Sequence, residues 1–304
     1  MLFSNDLFEK VSSNEKNAEE IARPSMTYWQ DVWRRLKQNK VAMAGMVAVI
    51  IITLLAIIGP MLSPYDYYSQ NLANANQPSS AQHWFGTDKF GRDELVRVLY
   101  GARISLTVGY AASILNIVIG VLYGGIAGYF GGKVDEIMMR IVDVIYSIPM
   151  MIYVILFMVI FGAGLKSIII ALAVSYWLTM ARIVRGQILS LKQQEFVLAA
   201  RTLGVSPMKI LLKHLIPNCM GPIIITLMMS VPDAIFTESF LSFIGLGVSA
   251  PQASWGTLAS EALDGYMLYP SQLFYPAIAI CLTILAFNLL GDGLRDALDP
   301  KMKK

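Results

Sequence analysis

The chain has 304 residues, of which 56% are hydrophobic and only 15% charged, where a soluble domain has roughly a quarter of its residues charged. That balance excludes an ordinary water-soluble fold, and a formal net charge of +3 gives a nucleic-acid partner no electrostatic support. The expected architecture is all-α and polytopic, with uncharged runs near the ~20 residues that cross a bilayer core.

Residues 1–40 are largely polar and read as a tail. In its later part Trp29, Trp33 and Leu36 mix with Arg34, Arg35 and Lys37, which suits a short interfacial helix or a solvated basic flank. The first uncharged run, 41–62, is too long for a signal-peptide core and is expected to remain as the first span. The loop at 63–102 is rich in Asn, Gln, Ser and Pro around residues 71–80, and it is longer than a simple connection needs. In its second half Leu95, Val98 and Leu99 alternate with Arg92, Asp93, Glu94 and Arg97, predicting an amphipathic helix that feeds a second span at 104–130.

Within that span Gly120, Gly124 and Gly128 recur at four-residue spacing, a pattern that lets membrane helices approach backbone to backbone. Further spans are expected at 144–165, at 167–184 with Arg182 snorkelling near one end, at 215–232 continuing past Asp233, and at 265–291, about six in all. If both termini are cytoplasmic, most of the 24 Lys and Arg fall on the inner side, and the positive-inside rule selects that orientation. The basic residues left in the outer loop run against the rule, with Asp88, Asp93 and Glu94 as candidate partners.

The most informative stretch lies between the fourth and fifth expected spans, at 195–216. Phe196, Ala199, Ala200 and Leu203 fall at i, i+3, i+4 and i+7, one face of a short helix beginning near Glu195. Gly204 is placed to stop that helix. Ser206 and Pro207 restart it as N-cap and first-turn proline. Met208, Leu211, Leu212 and Leu215 repeat the spacing until Pro217. Such a helical hairpin could lie on lipid headgroups, but the small Ala199 and Ala200 favour seating in a groove of a protein partner.

Little points to chemistry within the chain. Cys219 and Cys281 have no metal or disulfide spacing, and His83 and His214 lack a second ligand nearby. The pair Gly132-Lys133 is not followed by Ser or Thr and lacks the glycine of a phosphate-binding loop. ATP would therefore be hydrolysed elsewhere, and no hydrolase motif is present either. Asp143, Asp233, Glu238 and Asp292 stand near the ends of expected spans, where hydration or interfacial pairing is favoured over a proton relay.

The segment EFVLAARTLG, with Glu195, Ala199, Ala200 and Gly204, followed by LKHLIPN, resembles the cytoplasmic-loop signature of ATP-binding-cassette importer permeases. Three further stretches, HWFGTDKFGRDELVRVLYGARISLTVG, ESFLSFIGLGVSAPQASWGTLASEA and FNLLGDGLRDALDPK, are similar to the peptide-uptake branch of that family. Within the branch, WLTMARIVRGQILSLKQQEF looks most like the oligopeptide type.

The resemblance implies a type I importer permease fold, with a type-1 transmembrane permease domain over residues 103–292 and a cytoplasmic tail at 293–304. It implies that Glu195, Phe196, Ala199, Ala200, Leu203, Gly204, Ser206, Pro207 and Leu211 couple the chain to an ATPase. The implied partners are a second homologous permease, two ATPase subunits, an extracytoplasmic peptide-binding protein and membrane lipid, in the inner or plasma membrane of a prokaryote. No catalytic residue, metal or cofactor is implied, and the pathway residues stay unassigned. Import of dipeptides, nickel or another small solute is the alternative within the class, and ion-coupled transport the alternative outside it.

Overall fold

The computed structural model describes residues 27–298, so the outermost parts of both expected tails lie outside the described residues. Asn39, whose side chain accepts from the backbone N–H groups of Val41 and Ala42 at 3.1 Å, separates two helices of opposite character. Before it, α1 (Tyr28–Gln38) is amphipathic and buries Val32 and Leu36 beside Ala297 and Leu298, leaving Trp29 and Trp33 exposed. After it, α2 (Lys40–Leu62) is apolar and exposes Ile50, Ile51, Leu54 and Leu55, as suits a helix solvated by lipid.

The amphipathic segment and the second span form one helix, α3 (Glu94–Phe130), capped by the Asp93 side chain accepting from Val96 N–H at 2.9 Å. The expected third span is not one helix. Its place is taken by α4 (Gly132–Tyr146) and α5 (Met150–Phe161), bent by 80°. Pro149 lies at the break, and the ring of a proline disfavours helical backbone in the residue before it. The 12 residues of α5 reach only about 18 Å against a hydrocarbon core of about 30 Å. Among the described residues five single helices are long and apolar enough to cross a membrane, and the bent pair supplies a sixth candidate.

Next comes α6 (Leu165–Leu191), which lies along α3 in the close contact that the glycine spacing predicts. A Cβ added at Gly124 would strike the Ala181 carbonyl oxygen, and one at Gly128 would come within 2.9 Å of the Arg185 carbonyl oxygen. Lys192 Nζ then donates to the Gly128 carbonyl at 2.9 Å, and Arg185 donates through Nε and Nη2 to Asp135 at 2.5 and 2.6 Å. The hairpin comprises α7 (Glu195–Thr202) and α8 (Pro207–Ile210), and beyond it run α9 (Met220–Phe243), α10 (Trp255–Ala262) and α11 (Pro270–Leu298).

The expected fifth span continues past Asp233, as α9 does, and α9 runs on through Glu238 to Phe243. Glu238 is fully buried and takes hydrogen bonds from Ser105 Oγ at 2.6 Å and Ser242 Oγ at 2.7 Å. Hydroxyl donors on two helices compensate a carboxyl that water cannot reach.

The bundle has two distinct ends. At one, α1 and the close of α11 pack beside Ile224 and Ile225 near the start of α9. At the other, Trp255 and Leu258 of α10 pack with Val98, Ile235, Phe287 and Ala56. The loop preceding α3 is tied to α10 there by charge. Arg92 and Arg97 both bond Asp88 Oδ2, at 2.6 and 2.5 Å, and Glu261 Oε2, at 2.8 and 3.0 Å. Lys89 reaches Asp264 at 2.7 Å. Of the partners expected from sequence, Asp88 fills that role. Asp93 instead bonds His83 Nδ1 at 2.8 Å, and the remaining anions come from about 170 residues downstream.

Candidate functional site

The hairpin begins with α7 (Glu195–Thr202) and continues in α8 (Pro207–Ile210). Gly204 adopts φ +76°, which a side chain resists. Its N–H bonds the Arg201 carbonyl at 2.9 Å while Val205 N–H bonds the Ala200 carbonyl at 3.1 Å, so the orphan carbonyls of the last turn are satisfied by the glycine-ended cap expected from sequence. Ser206 occupies the N-cap position with its hydroxyl unused, and Pro207 opens α8.

The second helix does not stop at Pro217. It passes through a π-helical turn, Leu211–Leu215, and a further helical turn, Ile216–Asn218, to Cys219 and α9. Pro217 is the second residue of that helical turn and follows the π-helical turn directly, so its missing N–H removes one hydrogen bond from a helix that nonetheless continues.

The structure divides the candidate coupling residues between two faces. Val197 and Ala200 are buried with Ile210, Leu211 and Leu215, and the same cluster contains Val121 of α3 and Met180, Val184 and Ile188 of α6. Glu195, Phe196, Ala199, Leu203, Gly204, Ser206 and Pro207 are exposed, Leu203 to 82%. The expected face Phe196–Ala199–Ala200–Leu203 is therefore split. Ala200, 7% exposed, packs within the chain, and so does Leu211, so neither belongs to the free surface. Met208 and Leu212 extend the exposed apolar patch. Patches of this kind mark contact surfaces. Arg201 lies 5.5 Å from the Tyr129 ring centre, a further tie between the hairpin and α3.

A second feature had no signature in the sequence. A cleft of 990 Å3 lies among α3, the α4–α5 bend, α6 and α9, with Arg295 of α11 also on its wall. Asn116, Tyr153, Ser175, Tyr176, Thr179, Thr226, Ser230, Asp233 and Thr237 give it polar groups. Tyr176 and Thr237 share a hydrogen bond of 2.9 Å between their hydroxyls, and Ser113 and Ser230 one of 3.1 Å.

Asp233 is exposed to this cleft, 13 residues into α9 and not at a span end. Asn116 is 2% exposed, and its Oδ1 has no hydrogen-bond partner among the described residues. Of the other carboxylates weighed from sequence, Asp143 pairs with Arg182 at 2.9 Å and Asp292 is exposed. Cys219 is buried and Cys281 exposed.

The model of the binding-protein-dependent transport system inner membrane component family matches residues 120–304. That of the N-terminal transmembrane domain of oligopeptide transport permease C matches residues 27–78. The oligopeptide transport system permease protein of Bacillus subtilis is 52% identical, with 98% of each chain covered. The dipeptide transport system permease protein of the same organism is 53% identical over 97% of this chain and 93% of its own. The Escherichia coli oligopeptide permease protein is 44% identical over 97% and 99%. Among solved structures, the methionine ABC transporter MetNI in an inward-facing conformation aligns with a TM-score of 0.56 at 20% identity, covering 67% of this chain and 96% of that one. That likeness bears on the fold alone, an importer permease bundle. With a family model spanning residues 120–304 and relatives matched over nearly their whole length, the chain belongs to the family of binding-protein-dependent transport system inner membrane components.

Proposed function

We propose that this chain is a permease subunit of a peptide importer, pairing with a second related permease, driven by two separate ATPase subunits and supplied by an extracytoplasmic peptide-binding protein. The observation that carries the reading is the division of the hairpin. One face is fixed into the core beside α3 and α6, and the other presents Phe196, Ala199 and Leu203 free for a partner. A surface built this way transmits a push, because what docks on it is mechanically continuous with the spans. The chain performs no covalent chemistry in this scheme.

Both termini and the hairpin are assigned to the cytoplasmic side of a prokaryotic inner membrane. The support is the basic-residue distribution together with the grouping of α1, the hairpin and the close of α11 at one end of the bundle. Oligopeptides are the proposed cargo on the resemblance of the segment preceding α7. The near-equal identities to an oligopeptide and a dipeptide permease make dipeptide import the second reading.

The test is to introduce Leu203→Glu and Ala199→Trp separately, then measure ATPase co-purification and ATP-driven peptide uptake. Both should fall sharply while the permease still inserts, since both positions are exposed. Normal values in both variants would place docking elsewhere. Uptake that survives ATP depletion and collapses with an ion gradient would select ion-coupled transport instead.

A further inference from the structure

The cleft holds two polar groups that the fold does not use. Among the described residues the Asp233 carboxylate, exposed to the cleft, makes no ion pair or side-chain hydrogen bond, and Asn116 Oδ1 is a buried acceptor left unsatisfied on the same wall. The unsatisfied Asn116 acceptor is costly where it stands, and a carboxylate within a membrane bundle that has no structural partner points to a ligand. Among the described residues Arg295 is the other charged group on this wall. It repels cations, so Asp233 is the point to which a positive group is drawn.

The separation of the two groups follows from the packing. α3 and α9 run in opposite directions, and the 3.1 Å contact between Ser113 and Ser230 fixes their register. Asn116 lies three residues beyond Ser113 towards the hairpin end, and Asp233 three residues beyond Ser230 towards the opposite end. At 1.5 Å of rise per residue the two stand about 9 Å apart along the bundle. An extended peptide advances about 3.3 Å per residue, so this distance spans roughly three residues.

We propose that Asp233 and Asn116 form a two-point station for an extended peptide. Asp233 takes a primary ammonium, and Asn116 Oδ1 accepts an amide N–H about three residues further along. The inference rests on the peptide-importer reading and adds to it a residue-level account of what the pathway grips. A dipeptide reaches Asp233 but is too short to reach Asn116, so length preference resides partly in this chain.

The test uses the complete importer in proteoliposomes with ATP, comparing each variant with wild type so that the binding protein's own preference cancels. Asp233→Asn should lower uptake of tetra-alanine about tenfold, an ion pair being lost, and leave N-acetyl-tetra-alanine unchanged, whereas Asp233→Glu should retain uptake. An N-acetylated peptide ending in lysine separates the two sources of ammonium. Unchanged uptake assigns the station to the α-ammonium, and a matching loss extends it to lysine side chains.

Asn116→Leu should lower tetra-alanine uptake about fivefold, one hydrogen bond being lost, and leave dialanine unaffected. Equal effects of either variant on all peptides, or no effect on any, would overturn the station while leaving the importer reading intact. Failure of the wild-type complex to move any peptide would remove that reading, and the station with it.

Discussion

The two ends of the bundle are held by different physics. Where the loop before α3 meets α10, charges do the holding: Arg97 is 1% exposed and Arg92 is 4% exposed, and both bond Asp88 and Glu261. Where the hairpin meets α3 and α6, the contact is almost wholly apolar, through Val197, Ala200, Ile210, Leu211 and Leu215. Buried ion pairs tolerate little displacement, because a lost partner leaves an uncompensated charge. Apolar packing has no such directional demand. The comparison separates an end built to keep its shape from an end able to shift as a unit under load.

The sharpest way to break the contrast is Arg97→Met, which leaves Asp88 with one guanidinium partner fewer in a buried site. A loss of about 3–5 kcal/mol is expected, read as a fall in thermal unfolding temperature in detergent. Leu211→Ala, at the hairpin end, should cost about 3 kcal/mol through the cavity it opens. Its signature is local, with faster proteolysis within 195–216 and no change around α10. Leu203→Ser removes an exposed side chain and should alter stability by less than about 0.5 kcal/mol, while weakening ATPase retention under the proposed function.

The smallest effect belongs to Lys89. Its ammonium holds the exposed Asp264 carboxyl below the usual carboxylate range, so the contribution is present above that range and fades as pH falls through the lowered value. Lys89→Ala should remove this slight acid dependence and little else, measured as unfolding temperature against pH.

Much of this was legible from residue order. The Gly120, Gly124 and Gly128 stripe and the Gly204 stop depend on local backbone geometry, so spacing alone revealed them. Charge-free runs located the spans but misplaced their limits. Residue order places Asp233 and Glu238 near a span end even though the span carries past Asp233, while the helix begins at Met220 and continues to Phe243, which leaves Asp233 well inside it. The break at Pro149 was hidden inside an uninterrupted apolar run. The Glu261 and Asp264 partners, and the meeting of Asn116 with Asp233 on one cleft wall, depend on pairings between segments more than 100 residues apart. No periodicity encodes those. The division of the hairpin between two faces was hidden for a related reason: i, i+3, i+4 spacing identifies an apolar stripe, but only the packing tells which half of it the chain covers itself.

The backbone contact at Gly124 has a mechanical corollary. Two cylinders that touch main chain to main chain, with Gly120 and Gly128 nested against the neighbour on either side, cannot slide lengthwise without the glycine troughs riding over side chains. Tilting is the freedom left to them. The hairpin is fastened near Ile188, and Tyr176 stands 12 residues up the same strut, about 18 Å away at helical rise. A lever of that length turns a nudge at the hairpin into a swing at the wall of the chamber.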